Sequence, residues 1–375
     1  MEPAHWYSEP MKTLFAHSGR RRVTPAIAAC LVCWMLAPAI GFAQLTPEPA
    51  GRAYFGVHRP VPMKVSVPEG LSGEVRIDLF DPSKSDPAPE ATAPALAGVV
   101  DLSTLFPVLW QGPSPKLRYA QLVVGGSQVG SPVVLQPLVT PVQAKLVRTA
   151  TKPDAPTRDV YFKDPASATE NFPAREGEIV WITEPPAYAG LRAYTDQHVV
   201  LDTSMGEIEF RLRPDAAPNT AWNFRDLSER GFFTDIIFHR VVPVAKDGHP
   251  FVVQVGDPTG GGDGGPGYNL ALEKSDLGHD FGVLSMARST DPDTAGSQVF
   301  IALSREGTAR LDGKYTAFAQ AVRGADVILA LSRVPVTGDR PNDPPLLRSA
   351  RFVPAPPYGL RPAPVQRPVE KPRGR

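Results

Sequence analysis

The placing of proline sets the first limit on what this chain can fold into. Its 375 residues include 43 prolines, and these cluster outside one stretch, Phe238-His239-Arg240-Val241-Val242-Pro243 running on to Phe251-Val252-Val253-Gln254-Val255-Gly256-Asp257. Proline fixes φ and has no N–H to donate, so its clusters read as extended linkers and tails. The stretch itself reads as two short apolar strands that carry few polar groups: an arginine beside a histidine, and a glutamine two positions before a glycine. A guanidinium against an apolar surface, with Phe and Val available to wall a pocket, is the arrangement around which the rest is read.

At 40.4 kDa the chain has room for two domains of ordinary size plus tails. Lys+Arg and Asp+Glu both count 39, so no general attraction to nucleic acid or to an anionic membrane is implied. Residues 1–43 read as an export signal, with translation starting at Met1 or Met11. Lys12 and Arg20-Arg21-Arg22 give a basic start, Ala26 to Phe42 is almost wholly apolar, and Gly41-Phe42-Ala43 before Gln44 offers a cleavage site. A retained anchor is the alternative, since the apolar run is 17 residues, at the lower edge of a span; a lipid-modified Cys30 ranks third. The expected location is therefore periplasmic or extracellular, or membrane-anchored if the signal stays. Both cysteines, Cys30 and Cys33, fall inside the apolar run, so the exported chain would hold no thiol and no disulfide. The seven histidines are scattered and none pairs with an acid at metal-ligand spacing, so no metal and no cofactor is expected.

Residues 44–140 read as a small β domain, sandwich-like: Met63 to Val67 and Glu74 to Phe80 alternate polar and apolar, and Leu117 to Val124 and Gln128 to Leu135 flank a Gly125-Gly126-Ser127 turn. Trp110 and Tyr119 are expected to pack rather than bind. Residues 141–195 read as a linker with some structure, with strands possible near Val142 to Thr149 and Ile179 to Thr183. A second domain, 196–353, opens with a hairpin in which Ile208, Phe210 and Leu212 alternate with Glu207, Glu209 and Arg211. Pro218-Asn219-Thr220 then starts a helix that buries Ala221, Phe224 and Leu227 and stops before Gly231. The Pro- and Arg-rich residues 354–375 have too little apolar content to fold and are expected to be a disordered tail.

Within 196–353, Pro218-Asn219-Thr220, Asn223-Phe224, Gly231-Phe232-Phe233, Phe238-His239-Arg240-Val241, Gln254-Val255-Gly256-Asp257-Pro258-Thr259-Gly260, Gly264-Gly265-Pro266-Gly267-Tyr268, Gly282-Val283-Leu284-Ser285-Met286-Ala287, Gly296-Ser297-Gln298-Val299-Phe300-Ile301 and Leu311-Asp312-Gly313-Lys314-Tyr315 stand in one order. In that order the region resembles the cyclophilin family of peptidyl-prolyl cis-trans isomerases over about Gln197 to Val353. The resemblance implies a mainly β fold, a closed eight-stranded antiparallel barrel with two helices, the second helix at Ala325 to Ser332 and a closing strand at Leu346 to Val353. It also implies catalysis of X-Pro rotation during protein folding. Arg240, Gln254 and Phe300 would be catalytic. Phe251, Val252, Phe300, Leu311 and Tyr315 would form the proline slot, Gln254 and Gln298 would hold substrate backbone and orient Arg240, and Ala287 with Arg288 would offer main-chain groups. Composition alone would place Phe251, Phe300 and Leu311 in a barrel core; the matched motifs reverse that preference.

His239 is read as structural, and the glycines from Gly260 to Gly267 as a surface loop, because no Gly-Lys-Ser/Thr or helix start follows them. The region also departs from the family. Val244 to Pro250 is an insertion, Val252 replaces a common methionine, Arg288 an asparagine, Arg310 a tryptophan and Tyr315 a histidine. With the indole missing at Arg310, weak binding of the family's cyclic peptide inhibitor is expected. The implied partners are proline-containing segments of folding proteins, engaged by a monomer with no nucleic acid and no membrane span in the mature chain. A non-catalytic binder or chaperone of proline-containing segments in the cell envelope is the alternative function.

Overall fold

The computed structural model describes residues 43–84, 88–111, 116–139, 143–147, 159–162, 178–182 and 188–368. The expected export signal, residues 1–43, lies outside the described residues except for Ala43, which is buried. Everything described belongs to one compact unit, Gly41–Arg375.

In the N-terminal part, Gln44–Pro47, Pro62–Ser66 and Gly98–Asp101 make a three-stranded antiparallel sheet. A larger sheet orders Tyr54–Gly56, Tyr188–Thr195, Val133–Val139, Arg118–Val124, Val75–Phe80 and Ala91–Pro94. The two sheets bury one core, with Leu45, Met63, Ile77, Leu122 and Leu135 all at its centre. The expected turn is present: Gly125 and Gly126 both take positive φ, 57° and 83°, and let Val124 pair with Ser127. A two-residue turn of that hand is what a tight hairpin requires. Tyr119 is fully buried and Trp110 packs beside Tyr188, so both serve packing. Gln143–Val147, Asp159–Phe162 and Glu178–Ile182 form a separate antiparallel sheet.

The larger sheet contains a strand from the region read as a linker. Tyr188–Thr195 lies between Val133–Val139 and Tyr54–Gly56, with Leu191 and Ala193 in the core. One residue, Asp196, then separates it from the first strand of the next sheet, Gln197–Thr203.

That next sheet follows an antiparallel path of nine strands: Ile236–Ile237, Leu346–Pro354, Gln197–Thr203, Gly206–Leu212, Ala317–Arg323, Val283–Met286, Val299–Ala302, Val252–Val255 and Arg240–Val242. It curls, since its first and last strands are separated in the chain by only Phe238 and His239. The concave side is filled by Val199, Leu201, Ile208, Phe210, Phe224 and Ile301 among others. Helix α1, Pro218–Glu229, lays Ala221, Phe224 and Leu227 on this core, and Pro at its first position costs no hydrogen bond there. Gly231 follows its end at φ 72°, a conformation open to glycine without strain. Helix α2, Ala325–Ser332, buries Val327, Ile328, Leu329 and Leu331.

The expectation of a disordered tail is overturned through residue 368. Ser131 Oγ donates to the Ala355 carbonyl at 2.6 Å, the Tyr358 N–H donates to Gln121 Oε1 at 2.9 Å, and the Tyr358 ring stacks on Phe80 with centroids 4.3 Å apart. Further on, the Val365 N–H donates to the Ala321 carbonyl at 2.9 Å. Low apolar content measured over the tail as a whole misjudged it, because a few large groups docking on finished surfaces need no core of their own.

Arg361 is the strongest of those groups. Its guanidinium lies 4.1 Å from the ring centroids of both Tyr119 and Tyr358 and donates to Asp196 Oδ2 at 3.1 Å, with the two side chains only 8% and 4% exposed. Burial pushes the Asp196 carboxyl up, and Arg361 is the largest influence opposing it. Removing one partner of a buried pair strands the other charge, at a cost of about 3–5 kcal/mol. Arg361→Ala is therefore expected to lower stability by about that amount in urea unfolding at pH 7, and adding Asp196→Asn should recover part of the loss.

Candidate active site

Antiparallel register assembles the site. Arg240 pairs with Gln254, Gln254 with Phe300, and Phe300 with Ser285, so the four residues form one rung across four strands. The adjoining rung, Val241, Val253, Ile301 and Leu284, points to the opposite face and is wholly buried in the core. The period of two in a strand thus divides the apolar core from a functional face without any loop being involved.

Two residues along that face, Val242 and Val252 join Phe300 and Leu311 in a second, smaller apolar cluster, flanked by Phe251, Ala287 and Tyr315. The edge of the Tyr315 ring meets Phe300 at 5.9 Å between centroids and 78° between planes. Arg288 lies over Tyr315 at 4.4 Å and donates to the Lys314 carbonyl, which props that wall from outside. The Ala287 N–H is committed to the Gln298 carbonyl at 2.9 Å; of the main-chain groups expected here, that one is taken within the protein.

Beneath Phe300 lies a support that the sequence reading missed. His279 is fully buried and stacks on Phe300, with centroids 5.8 Å apart and planes 14° apart. Its Nδ1 is 2.8 Å from Asp312 Oδ1 and its Nε2 is 2.9 Å from Ser285 Oγ. Burial pushes the imidazole pKa down. For Asp312, burial acts upward but hydrogen bonds from Arg305 and His279 outweigh it, which holds the carboxyl at about 2. An ionised Asp312 only accepts, so Nδ1 carries the proton and Nε2 accepts from the serine hydroxyl.

Arg240 is fixed by a relay. Its Nε and Nη2 contact Asp339 Oδ2 at 3.1 and 3.0 Å, and its Nη1 donates to Gln254 Oε1 at 3.4 Å. Gln254 Nε2 donates to Gln298 Oε1 at 2.9 Å, and Gln298 Nε2 donates to the carbonyls of Gly262 and Gly264 at 2.7 and 2.9 Å. Asp339 was not among the expected site residues; it comes from the turn between Val336–Thr337 and Arg340–Pro341, far along the chain. The glycine loop that anchors Gln298 is wrapped on Asp257, which accepts from Thr259 N at 2.7 Å, Thr259 Oγ1 at 2.8 Å and Gly262 N. A Cβ at Gly264 would fall 2.1 Å from Asp257 Oδ1, so a side chain there would displace the carboxylate that orders the loop. His239 is buried, and burial pushes its pKa down.

Two cavities flank the Arg240–Gln254 pair. One, about 670 Å³, lies between the glycine loop and Ala287, Arg288 and Gln298. The other, about 440 Å³, lies between Arg240, Phe251, Arg310 and the inserted turn. Arg310 stands over Phe251 at 4.5 Å and pairs with Asp247 of the insertion at 2.9 Å.

All ten expected site residues thus converge on one face, and the sequence between His198 and Arg351 matches the family described as cyclophilin type peptidyl-prolyl cis-trans isomerase/CLD. Peptidyl-prolyl cis-trans isomerase-like 1 of Aspergillus oryzae is 42% identical over 161 residues, which cover 41% of this chain and 94% of that protein. This chain belongs to the cyclophilin family. The isomerase CYP18-2 of Arabidopsis thaliana is 42% identical over 149 residues, 38% of this chain and 85% of that one. A solved cyclophilin of Cryptosporidium parvum is 31% identical, covers 43% of this chain and 99% of its own, and superposes with a TM-score of 0.39. The cyclophilin region is thus an isomerase domain, and residues 43–195 stand outside the family match. Among the described residues no group of three or more His, Cys, Asp or Glu could hold a metal, and no helix is long and apolar enough to cross a membrane.

The Asp257 carboxyl gives the site an acid limit. Burial raises its pKa, but hydrogen bonds from Thr259, Gly262 and Gly264 outweigh burial and hold it at about 2, against about 3.9 for a free aspartate. A folded-state pKa below the unfolded one stabilises fully above about pH 4, and that contribution is lost as pH falls toward 2. Asp257→Asn should therefore melt at a lower temperature than the parent at pH 7, and the difference between the two should shrink steadily from pH 4 to pH 2.

Proposed function

We propose that this chain is a bacterial, exported, monomeric peptidyl-prolyl isomerase that accelerates X-Pro rotation in proteins folding in the periplasm or outside the cell. On this reading the curled sheet works as a closed eight-stranded barrel with two helices, Ile236–Ile237 and Arg240–Val242 counting as one strand interrupted at Phe238 and His239, and the two N-terminal sheets are a sandwich-like domain ahead of it. The basic and apolar residues before Gln44 support export. The observation that carries the catalytic reading is the single rung that sets Arg240 and Gln254 beside the Phe300 slot.

Rotation about an amide is slow because conjugation gives the C–N bond double-bond character, with a barrier of about 18–20 kcal/mol. Prolyl bonds populate both isomers yet exchange only over about tens to hundreds of seconds. The slot of Val252, Phe300 and Leu311, with Phe251 and Tyr315 at its sides, accepts the pyrrolidine ring by apolar contact. As the bond twists, the nitrogen leaves conjugation and regains a lone pair. A donor held at that point binds the twisted state more tightly than either planar one, which is what lowers a barrier.

Arg240 suits that task because a guanidinium holds its donors in a rigid planar fork. Of its five N–H groups, one on Nε donates to Asp339 and one on Nη1 to Gln254, which leaves others for substrate. The committed groups immobilise the guanidinium before substrate arrives, so little reorganisation is left for the reaction itself. No bond to substrate forms and no proton moves. Lowering the barrier by about 7 kcal/mol would accelerate exchange about 10⁵-fold.

Arg240→Ala should lower kcat/KM on an Ala-Pro peptide by about 10²–10³-fold. Arg240→Lys should recover little of it, since an ammonium cannot span Asp339 and Gln254 together. Because His239 and His279 are held neutral by burial, kcat/KM is expected to stay flat from pH 7 to 9. Direct exchange measurements check all of this, and equal rates for the parent and Arg240→Ala would leave a proline binder rather than an isomerase.

A further inference from the structure

We propose that the 440 Å³ cavity formed by the inserted turn is a specificity subsite for a large apolar side chain, leucine or phenylalanine in size, one or two residues from the substrate proline. It rests on the isomerase reading and goes beyond it by naming what the substrate presents next to its proline.

Continuity comes first. The cavity is lined by Arg240 and Phe251, and Phe251 also flanks the apolar cluster that makes the proline slot. Successive Cα atoms are about 3.8 Å apart, so a peptide whose proline fills the slot places a neighbouring side chain in the cavity. The larger cavity on the far side of Gln254 is walled by glycine-loop backbone and Gln298. The two flanks of the proline therefore meet different chemistry.

Next is the lining. Val242 and Phe251 supply apolar wall from the sheet, and the insertion adds Ala245 and Val244. Val244 is 57% exposed, a branched apolar side chain standing on a solvent-facing turn. The charges at the mouth are largely spent on each other: Arg240 pairs with Asp339 at 3.0 Å, and Arg310 with Asp247 at 2.9 Å. Only Lys246 lines the cavity without such a pair among the described residues. With the charges matched, contact with the apolar wall decides what binds.

The wall is also held in place. Within the turn the Ala245 N–H donates to the His249 carbonyl at 2.8 Å, and the Gly248 N–H donates to the Ala245 carbonyl at 3.0 Å. The Asp247–Arg310 pair fastens this turn to the residue that covers Phe251. A preformed wall spends little binding energy on ordering itself.

The test uses the full chain and short peptides in which one of the two residues before or the two after the proline is Gly, Asp, Lys, Leu or Phe, with exchange rates measured by NMR. Leu and Phe on one flank should exceed Gly and Asp by about tenfold in kcat/KM, mostly through KM, as partial burial of one such side chain provides. In Val244→Asp, on the exposed turn, the preference should fall to about twofold or less, while Val244→Ile keeps it. Equal rates for all residues on both flanks, or a preference that survives Val244→Asp, would overturn the subsite while leaving the isomerase reading standing. A preference for Asp that disappears in Lys246→Ala would overturn its apolar assignment. Absence of catalysis on every peptide would overturn the isomerase reading and the subsite with it.

Discussion

The chemistry of this protein depends on the register of four antiparallel strands. Pairing Arg240 with Gln254, Gln254 with Phe300 and Phe300 with Ser285 places a cation, an amide, an aromatic wall and a hydroxyl in one row. A slip of one residue in any of the three pairings would send one of these groups into the core and bring a buried Val, Ile or Leu to the surface. The core itself enforces the register, because the alternate rung of Val241, Val253, Ile301 and Leu284 is fully buried. Hydrophobic burial, which has no directional preference of its own, thereby fixes the position of a directional donor.

Around that row the protein supports each polar group with another that is itself held. Asp257 orders the glycine loop, the loop's carbonyls hold Gln298, Gln298 holds Gln254, and Gln254 with Asp339 holds Arg240. On the other side Arg305 and Asp312 fix His279, which lies flat beneath Phe300. The Arg240 cation is thus constrained by hydrogen bonds and the apolar cluster beside it by packing. The histidines close by are kept neutral by burial, so they add no competing charge.

Much of this was legible in the sequence, and the parts that were not share a cause. The hairpin Gln197–Leu212, the helix from Pro218 and the stop at Gly231 follow from period and capping, which are local. The grouping of Val252, Phe300, Leu311, Phe251 and Tyr315 in one small cluster follows the ordered motifs, although composition alone assigned Phe251, Phe300 and Leu311 to a core. Asp339 gave no signal because it meets Arg240 across 99 residues of sequence. His279 and Ser285 were unremarkable as letters, and only stacking and tautomer geometry give them a part. Tyr188–Thr195 follows prolines that read as a linker, yet its apolar residues complete a sheet begun far earlier in the chain.

Asp196 shows what that strand does to the architecture. It is the one residue between a strand of the first large sheet and a strand of the second, and all its polar groups are used: its N–H donates to the Pro132 carbonyl at 2.8 Å, its carbonyl accepts from Ala355 N at 3.4 Å, and its carboxylate accepts from Arg361. A flexible tether would leave such groups to water. Here one residue is gripped by the first sheet on one side and by the returning tail on the other, while Tyr119 of the first sheet reaches Asp215 just ahead of α1 at 3.4 Å. The N-terminal sheets therefore form part of the foundation on which the cyclophilin sheet stands, rather than a bead on a string.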